Sequence, residues 1–201
     1  MQEYRLNTKT RIFLSALYLF ASRGVENASM REIAFAAGIN IASIYNHFIN
    51  KEQILEACYD FYLDYHDSTK LSEEQYAAIL RTGTKEEIVD VLNFGFSEEH
   101  QENLVNAMTI LFSRMYSDPK AIEKYSKMVD HSMEFMKSFF ELGIQLGRFE
   151  EFDVNRVSLL FLSARLFAAQ SVIIHPETLR DIESVEKEMM KELINNIPFK
   201  Y

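Results

Sequence analysis

Only six glycines and three prolines interrupt 201 residues, and two of the prolines, Pro176 and Pro198, fall near the end. So few breakers commit the chain to long helices, because a sheet protein needs frequent turns and turns draw on Gly and Pro. No stretch alternates apolar and polar residues over a useful strand length, and there is no repeat or low-complexity segment. The expectation is an all-α fold of about nine or ten helices. Apolar residues make up 48% and charged residues 25%, enough for a full core.

Helical spacing places the elements. Ile12, Phe13, Ala16, Leu17 and Phe20 share one face of a first helix over 8–22, with Gly24 where a C-terminal cap is wanted. Ser29-Met30-Arg31-Glu32 is a Ser-x-x-Glu capping box that opens a short second helix through Ile33, Ala34 and Ala37. Gly38 breaks it, and Asn40 is a good N-cap for a third short helix through Ile44, Tyr45 and Phe48. Asn50 can cap a fourth helix, which buries Ile54, Leu55, Cys58, Phe61, Tyr62 and Tyr65. A short helix and turn then end near Gly83, and helical patterns cover 84–97, 101–117, 119–147, 153–175 and 178–197. Asp118-Pro119 and Pro176 separate neighbours, and Gly143 and Gly147 read as a fraying end.

The net charge of −9 argues against nucleic acid until it is divided. Residues 1–51 carry six Lys/Arg and three acids, a net +3, and the other 150 residues carry −12. A basic head on an acidic body is the asymmetry expected when only the head meets phosphate. The single cysteine, Cys58, and the polar start MQEYRLNTKTR suit a reducing cytoplasm rather than secretion.

The strongest signal is SMREIAFAAGINIASIYNHFINK, residues 29–51. Two short helices joined by a tight Gly-containing turn make a helix-turn-helix, whose second helix can enter the major groove of DNA. Ala34, Ala37 and Ala42 permit close approach, and Ile33, Ile39, Ile44 and Phe48 supply apolar contact. Here the chain resembles the tetracycline-repressor (TetR) family of regulators over about residues 8–65, through Ile33-Ala34, Ala37-Gly38-Ile39, Tyr45-x-His47-Phe48 and Lys51. The resemblance implies a DNA-binding domain over 1–51, with its helix-turn-helix at about 29–48. A helical ligand-binding and dimerisation domain over 52–201 follows, entered through a linking helix at about 51–67.

Roles follow residue by residue. Asn40, Ile41, Ala42 and Ser43 begin the recognition helix, where short side chains and backbone N–H groups suit phosphate, and Ile41 or Ala42 suits a thymine methyl. Asn46, one turn on, suits a base edge. Tyr45 and His47 resemble family positions that touch phosphate, and Lys51 at the start of the fourth helix suits the same partner. Arg31 resembles a position that reaches guanine, with a solvated face as the alternative. Glycine or lysine is common early in such recognition helices; Ile41-Ala42 stands there instead.

Residues 154–174 are apolar nearly all round. A membrane span is disfavoured by Arg165 near the centre, at about 2.5–3.5 kcal/mol even on the insertion scale. A helix buried on two sides fits better, one face in its own domain and one against a second subunit. Phe161, Arg165, Ala168 and Val172 on this helix, with Ile182, Met189 and Leu193 on the last, are the expected interface of a homodimer. The region between is rich in Met, Phe and Tyr, which suits an adaptable pocket for an apolar or aromatic small molecule. The residues expected to line it are Asn106, Met108, Phe112, Met115, Tyr116, His131, Phe135, Phe139 and Arg165, with Arg114 a further polar candidate.

The function expected is repression from a near-palindromic double-stranded operator, relieved when a small-molecule effector shifts the fourth helix; activation is the alternative. No Gly-rich phosphate loop, zinc-ligand spacing or nucleophile elbow marks an enzyme, so no cofactor and no metal is expected. A helical interaction module without DNA function is the rival reading. At Cys58 an inert core thiol is favoured over a redox switch.

Overall fold

The computed structural model describes residues 6–68, 71–92, 101–174 and 179–200. Among these residues the chain forms ten helices: α1 (Thr8–Arg23), α2 (Met30–Ala36), α3 (Ile41–Ile44), α4 (Lys51–Ser68), α5 (Glu73–Thr82), α6 (Lys85–Leu92), α7 (Gln101–Arg114), α8 (Pro119–Gln145), α9 (Val154–Ile174) and α10 (Leu179–Asn195). Residues 93–97 of one expected helix, and the break at Pro176, lie outside the described residues. α7 stops three residues short of the expected end: the Ser117 and Asp118 N–H groups both donate to the Arg114 carbonyl and close a turn. Pro119 disfavours helical backbone in Asp118 and so separates this turn from α8.

The helices pack as two compact units. The first comprises residues 1–65 and 96–125. In it α1 contacts α2 and α7, and α2 contacts α3. Its buried side chains include Ile12, Leu17 and Phe20 of α1, Ile33 of α2, Ile44 of α3, Ile54 and Tyr59 of α4, and Met108 and Leu111 of α7. Cys58 is among them and is fully buried. Loss of solvation pushes its thiol up to about 12.

The second unit comprises residues 66–95 and 126–201. α10 packs on α9 and α6, and α5 on α6. Its core is aromatic: Phe140 meets Phe139, Phe149, Phe152 and Phe161 with ring centroids 5.3–6.1 Å apart. Gly143 does not fray. It lies inside α8, and a Cβ there would sit 2.3 Å from the Phe149 ring. Only Gly147, at φ 72°, closes the helix, with the Arg148 N–H donating back to the Gly143 carbonyl. The end of the chain is tied to this turn. Glu150 N–H donates to the Pro198 carbonyl (2.8 Å), Lys200 N–H donates to the Arg148 carbonyl (3.1 Å), and Phe149 and Phe199 meet edge-on.

α9 sorts its apolar faces in a way that corrects the expected dimer surface. Phe161 and Ala168 are buried in the unit's own core, and Arg165 donates to the Leu92 carbonyl (2.8 Å). The exposed apolar residues are Leu159, Leu160, Phe167 and Ile174, about half a helical turn away from that buried set. With Val185, Met189 and Leu193 of α10, Leu160 and Phe167 line an apolar groove of about 680 Å³. The side chains of Val172 and Ile182 lie outside the described residues. No helix among the described residues is long and apolar enough to cross a membrane.

Gly→Ala in a helix usually stabilises, because glycine loses more backbone freedom on folding. At Gly143 the added methyl must displace Phe149. Gly143→Ala should therefore lower unfolding stability by about 1–3 kcal/mol in a urea titration, the usual cost of overpacking.

Candidate nucleic-acid interface

The head is assembled from short-range caps. Asn7 Oδ1 accepts the Thr10 N–H (2.9 Å) and starts α1. Gly24, at φ 81°, ends it by donating its N–H to the Phe20 carbonyl. The expected capping box is complete: Glu32 N–H donates to Ser29 Oγ (3.2 Å), and Ser29 N–H donates to Glu32 Oε2 (2.9 Å). The Ser29 N–H and the Ser29 hydroxyl, both donating to Glu32 Oε2, hold the Glu32 carboxyl below its ordinary range. α2 then buries Ile33 and Ala34 and leaves Arg31 and Phe35 exposed.

Gly38 turns the chain. Its φ of 67° lets the Ile39 N–H donate to the Ala34 carbonyl (3.0 Å), which caps α2 and redirects the backbone. Asn40 caps α3 at once, its Oδ1 accepting from Ser43 N–H (2.8 Å) and Ser43 Oγ–H (3.0 Å). α3 is one turn long, but His47 and Phe48 N–H groups still donate to the Ile44 carbonyl, so the turn continues to Phe48. Ile44 and Phe48 are buried beneath it, and Lys9 lies over the Phe48 ring at 5.7 Å. Ile41, Ala42, Tyr45 and Asn46 point outward, so Ala42 is not one of the small residues that let the helices approach, as Ala34 and Ala37 are; Ser43 and His47 are half-buried. The outward positions recur at 41/42 and 45/46, one turn apart, so they form one face.

Lys51, the cation expected to suit a phosphate at the start of α4, already has a backbone partner. Its Nζ donates to the Val25 carbonyl (2.6 Å) and ties the start of α4 to the α1–α2 loop. Asn50 caps α4 by accepting the Gln53 N–H (2.9 Å). Neighbouring groups extend the tie: Arg114 pairs with Glu26, Lys120 with Glu56 and Lys124 with Asp60, while Tyr59 Oη–H donates to Asp118 (2.9 Å). Burial alone would raise the Asp118 carboxyl, but the Tyr59 hydroxyl, the Lys120 N–H and the Arg114 charge outweigh it and hold it low. This polar cluster borders a crevice of about 540 Å³. Sequence reasoning singled out Arg114 but not its partners, because Glu26 and Arg114 are far apart along the chain.

The expected ligand residues fall into separate groups. Within the first unit Met108 is fully buried, Asn106 and Met115 are half-buried, Phe112 meets Tyr125 edge-on at 5.1 Å, and Tyr116 is 90% exposed on the α7–α8 turn. Within the second, Phe135 and Phe139 pack with Tyr76, Arg165 holds the Leu92 carbonyl, and His131 is exposed.

A short, capped helix presented outward on two buried supports is the arrangement of a helix-turn-helix DNA-binding protein. The chain belongs to the tetR family of bacterial regulatory proteins, which residues 12–58 match, while residues 63–198 match the C-terminal region of QacR-like proteins. Over 57 residues it is 37% identical to the HTH-type transcriptional regulator UidR of Escherichia coli K12, a match spanning 28% of this chain and 29% of that regulator. Among solved structures it resembles a TetR-family regulator from Cytophaga hutchinsonii, with a TM-score of 0.69, 19% identity and 96% of each chain covered. It also resembles NalD of Pseudomonas aeruginosa, the secondary repressor of the MexAB-OprM multidrug efflux pump (TM-score 0.63, 21% identity, 96% and 98% covered). The family is one of transcriptional regulators, not of enzymes.

Two outcomes follow from this local chemistry. Asn40→Ala removes both bonds at the α3 cap and should cost about 0.5–2 kcal/mol in thermal or urea unfolding. Cys58, buried and with its thiol held protonated, should resist alkylation by iodoacetamide at neutral pH in the native protein and react on denaturation.

Proposed function

We propose that the protein is a cytoplasmic, homodimeric transcriptional repressor that leaves a near-palindromic operator when a small molecule binds. The observation that carries this reading is the outward face of α3: Ile41, Ala42, Tyr45 and Asn46 exposed over buried Ile44 and Phe48. That surface contributes little to the chain's own core, and it lies where a recognition helix needs its side chains. In this reading residues 1–51 bind DNA, and 52–201 dimerise and bind ligand. Tyr45 and His47 contact phosphate, Arg31 contacts guanine, and Lys51 acts on phosphate through the α4 terminus that it also anchors.

The dimer forms through the exposed face of α9 and α10, with Leu160, Phe167, Val185 and Met189 at its centre. An apolar face of this kind is costly to leave in water and is suited to a second copy across a two-fold axis. Two recognition helices about 34–36 Å apart then meet successive major grooves. The effector is an apolar or aromatic compound bound among the Met, Phe and Tyr side chains of the body. Ion pairs from the first turns of α8 to Glu56 and Asp60 of α4 give movement of that segment a direct mechanical link to the head. The effector acts only through its difference in affinity for the DNA-bound and released states.

Fluorescence anisotropy with duplexes enriched from a random library tests the DNA part. Lys51→Ala should weaken binding across all sequences and reduce the salt slope by about one, whereas Tyr45→Phe, which removes a neutral donor, should weaken binding across all sequences and leave the slope unchanged. Arg31→Ala should relax preference at one guanine by about 1–3 kcal/mol. Unchanged affinity in all three variants would overturn the assigned surface.

A further inference from the structure

α3 commits its polar atoms before it meets any partner. Asn40 Oδ1 accepts two hydrogen bonds, from the Ser43 backbone and from the Ser43 hydroxyl, so the Ser43 hydroxyl proton is already engaged and Asn40 has its amide N–H groups to offer. Ser43 is half-buried besides. The side chains left on the outward face are Ile41, Ala42, Tyr45 and Asn46. Ile41 and Ala42 carry no hydrogen-bonding group, and they occupy the first two positions after the cap, where a recognition helix comes nearest to the bases.

The major groove offers one apolar feature, the 5-methyl group of thymine. An apolar side chain held against any other base edge leaves donors or acceptors unpaired on desolvation. Asn46, one turn further along the same face, carries the amide that pairs with adenine N6 and N7, and adenine's partner is thymine. We infer that each operator half-site is read mainly through thymine methyl groups. Ile41 and Ala42 contact the methyls, Asn46 pairs with adenine, and the centre of each half-site consists of A·T pairs. This inference rests on α3 being the recognition helix.

The test uses the full chain and duplexes that it enriches from a random library. Each thymine is replaced in turn by deoxyuridine, which removes the methyl and keeps every base-pairing group. At one or two thymines per half-site, affinity should fall about fourfold per methyl lost, the equivalent of one buried carbon. Ile41→Ala, at an exposed position that leaves the core intact, should abolish that sensitivity at its own thymine while preserving it at the one read by Ala42. Asn46→Ala should erase the adenine preference at one position. Tight, sequence-specific binding in which every thymine tolerates deoxyuridine would overturn the inference and leave the DNA reading standing, as would enriched half-sites with G·C pairs opposite Ile41 and Ala42. Failure to enrich any sequence above random duplex would remove both.

Discussion

The left-handed turn at Gly38 is the constraint on which the head depends. With φ at 67°, the chain can satisfy the end of α2 through the Ile39 N–H and start α3 at Asn40 two residues later. A residue with a Cβ meets a penalty of about 1–2 kcal/mol in that conformation. A turn this short leaves no room for a disordered join, so the direction of α3 is set by the direction of α2. Burial of Ile33 and Ala34 on one side, and of Ile44 and Phe48 on the other, then leaves the remaining face of α3 directed away from the core. The exposed quartet is a consequence of how its neighbours pack.

The second unit rests on a different close approach. Phe149 lies against the backbone of α8 because Gly143 has no side chain, and Phe140, Phe152, Phe161 and Phe199 gather around that contact. The turn at Gly147 and the pairing of Phe149 with Phe199 bring the last residues of the chain onto the same cluster. Filling this core needs only one face of α9. Its other face stays apolar and exposed, which gives an all-round apolar helix a physical reason other than lipid.

The start of α4 is where sequence reasoning and geometry part. Lys51 has the right charge and position for phosphate, yet its ammonium holds the Val25 carbonyl, and the neighbouring pairs bind α4 to the segment around the α7–α8 turn. A cation that both ties the α1–α2 loop and faces a nucleic acid would make head position and affinity respond to the same contact. Arg165 shows the same economy in the second unit: an arginine near the middle of an apolar helix, read as an interface or ligand group, satisfies the end of α6 at the Leu92 carbonyl.

The amino-acid sequence by itself determined the helical class, the caps at Ser29, Asn40 and Asn50 and the turn at Gly38. Each of these depends on interactions within four residues or on a 3.6-residue period, and such short-range physics is written directly in the order of side chains. Tertiary structure alone decided which face of α9 is inward, that Gly143 is a packing contact and not a frayed end, and that Arg114 meets Glu26. The reason is that these depend on partners dozens of residues away. A helix apolar on every side carries no periodic mark of its orientation, and a glycine shows no need for its missing methyl until the ring that occupies the space has arrived.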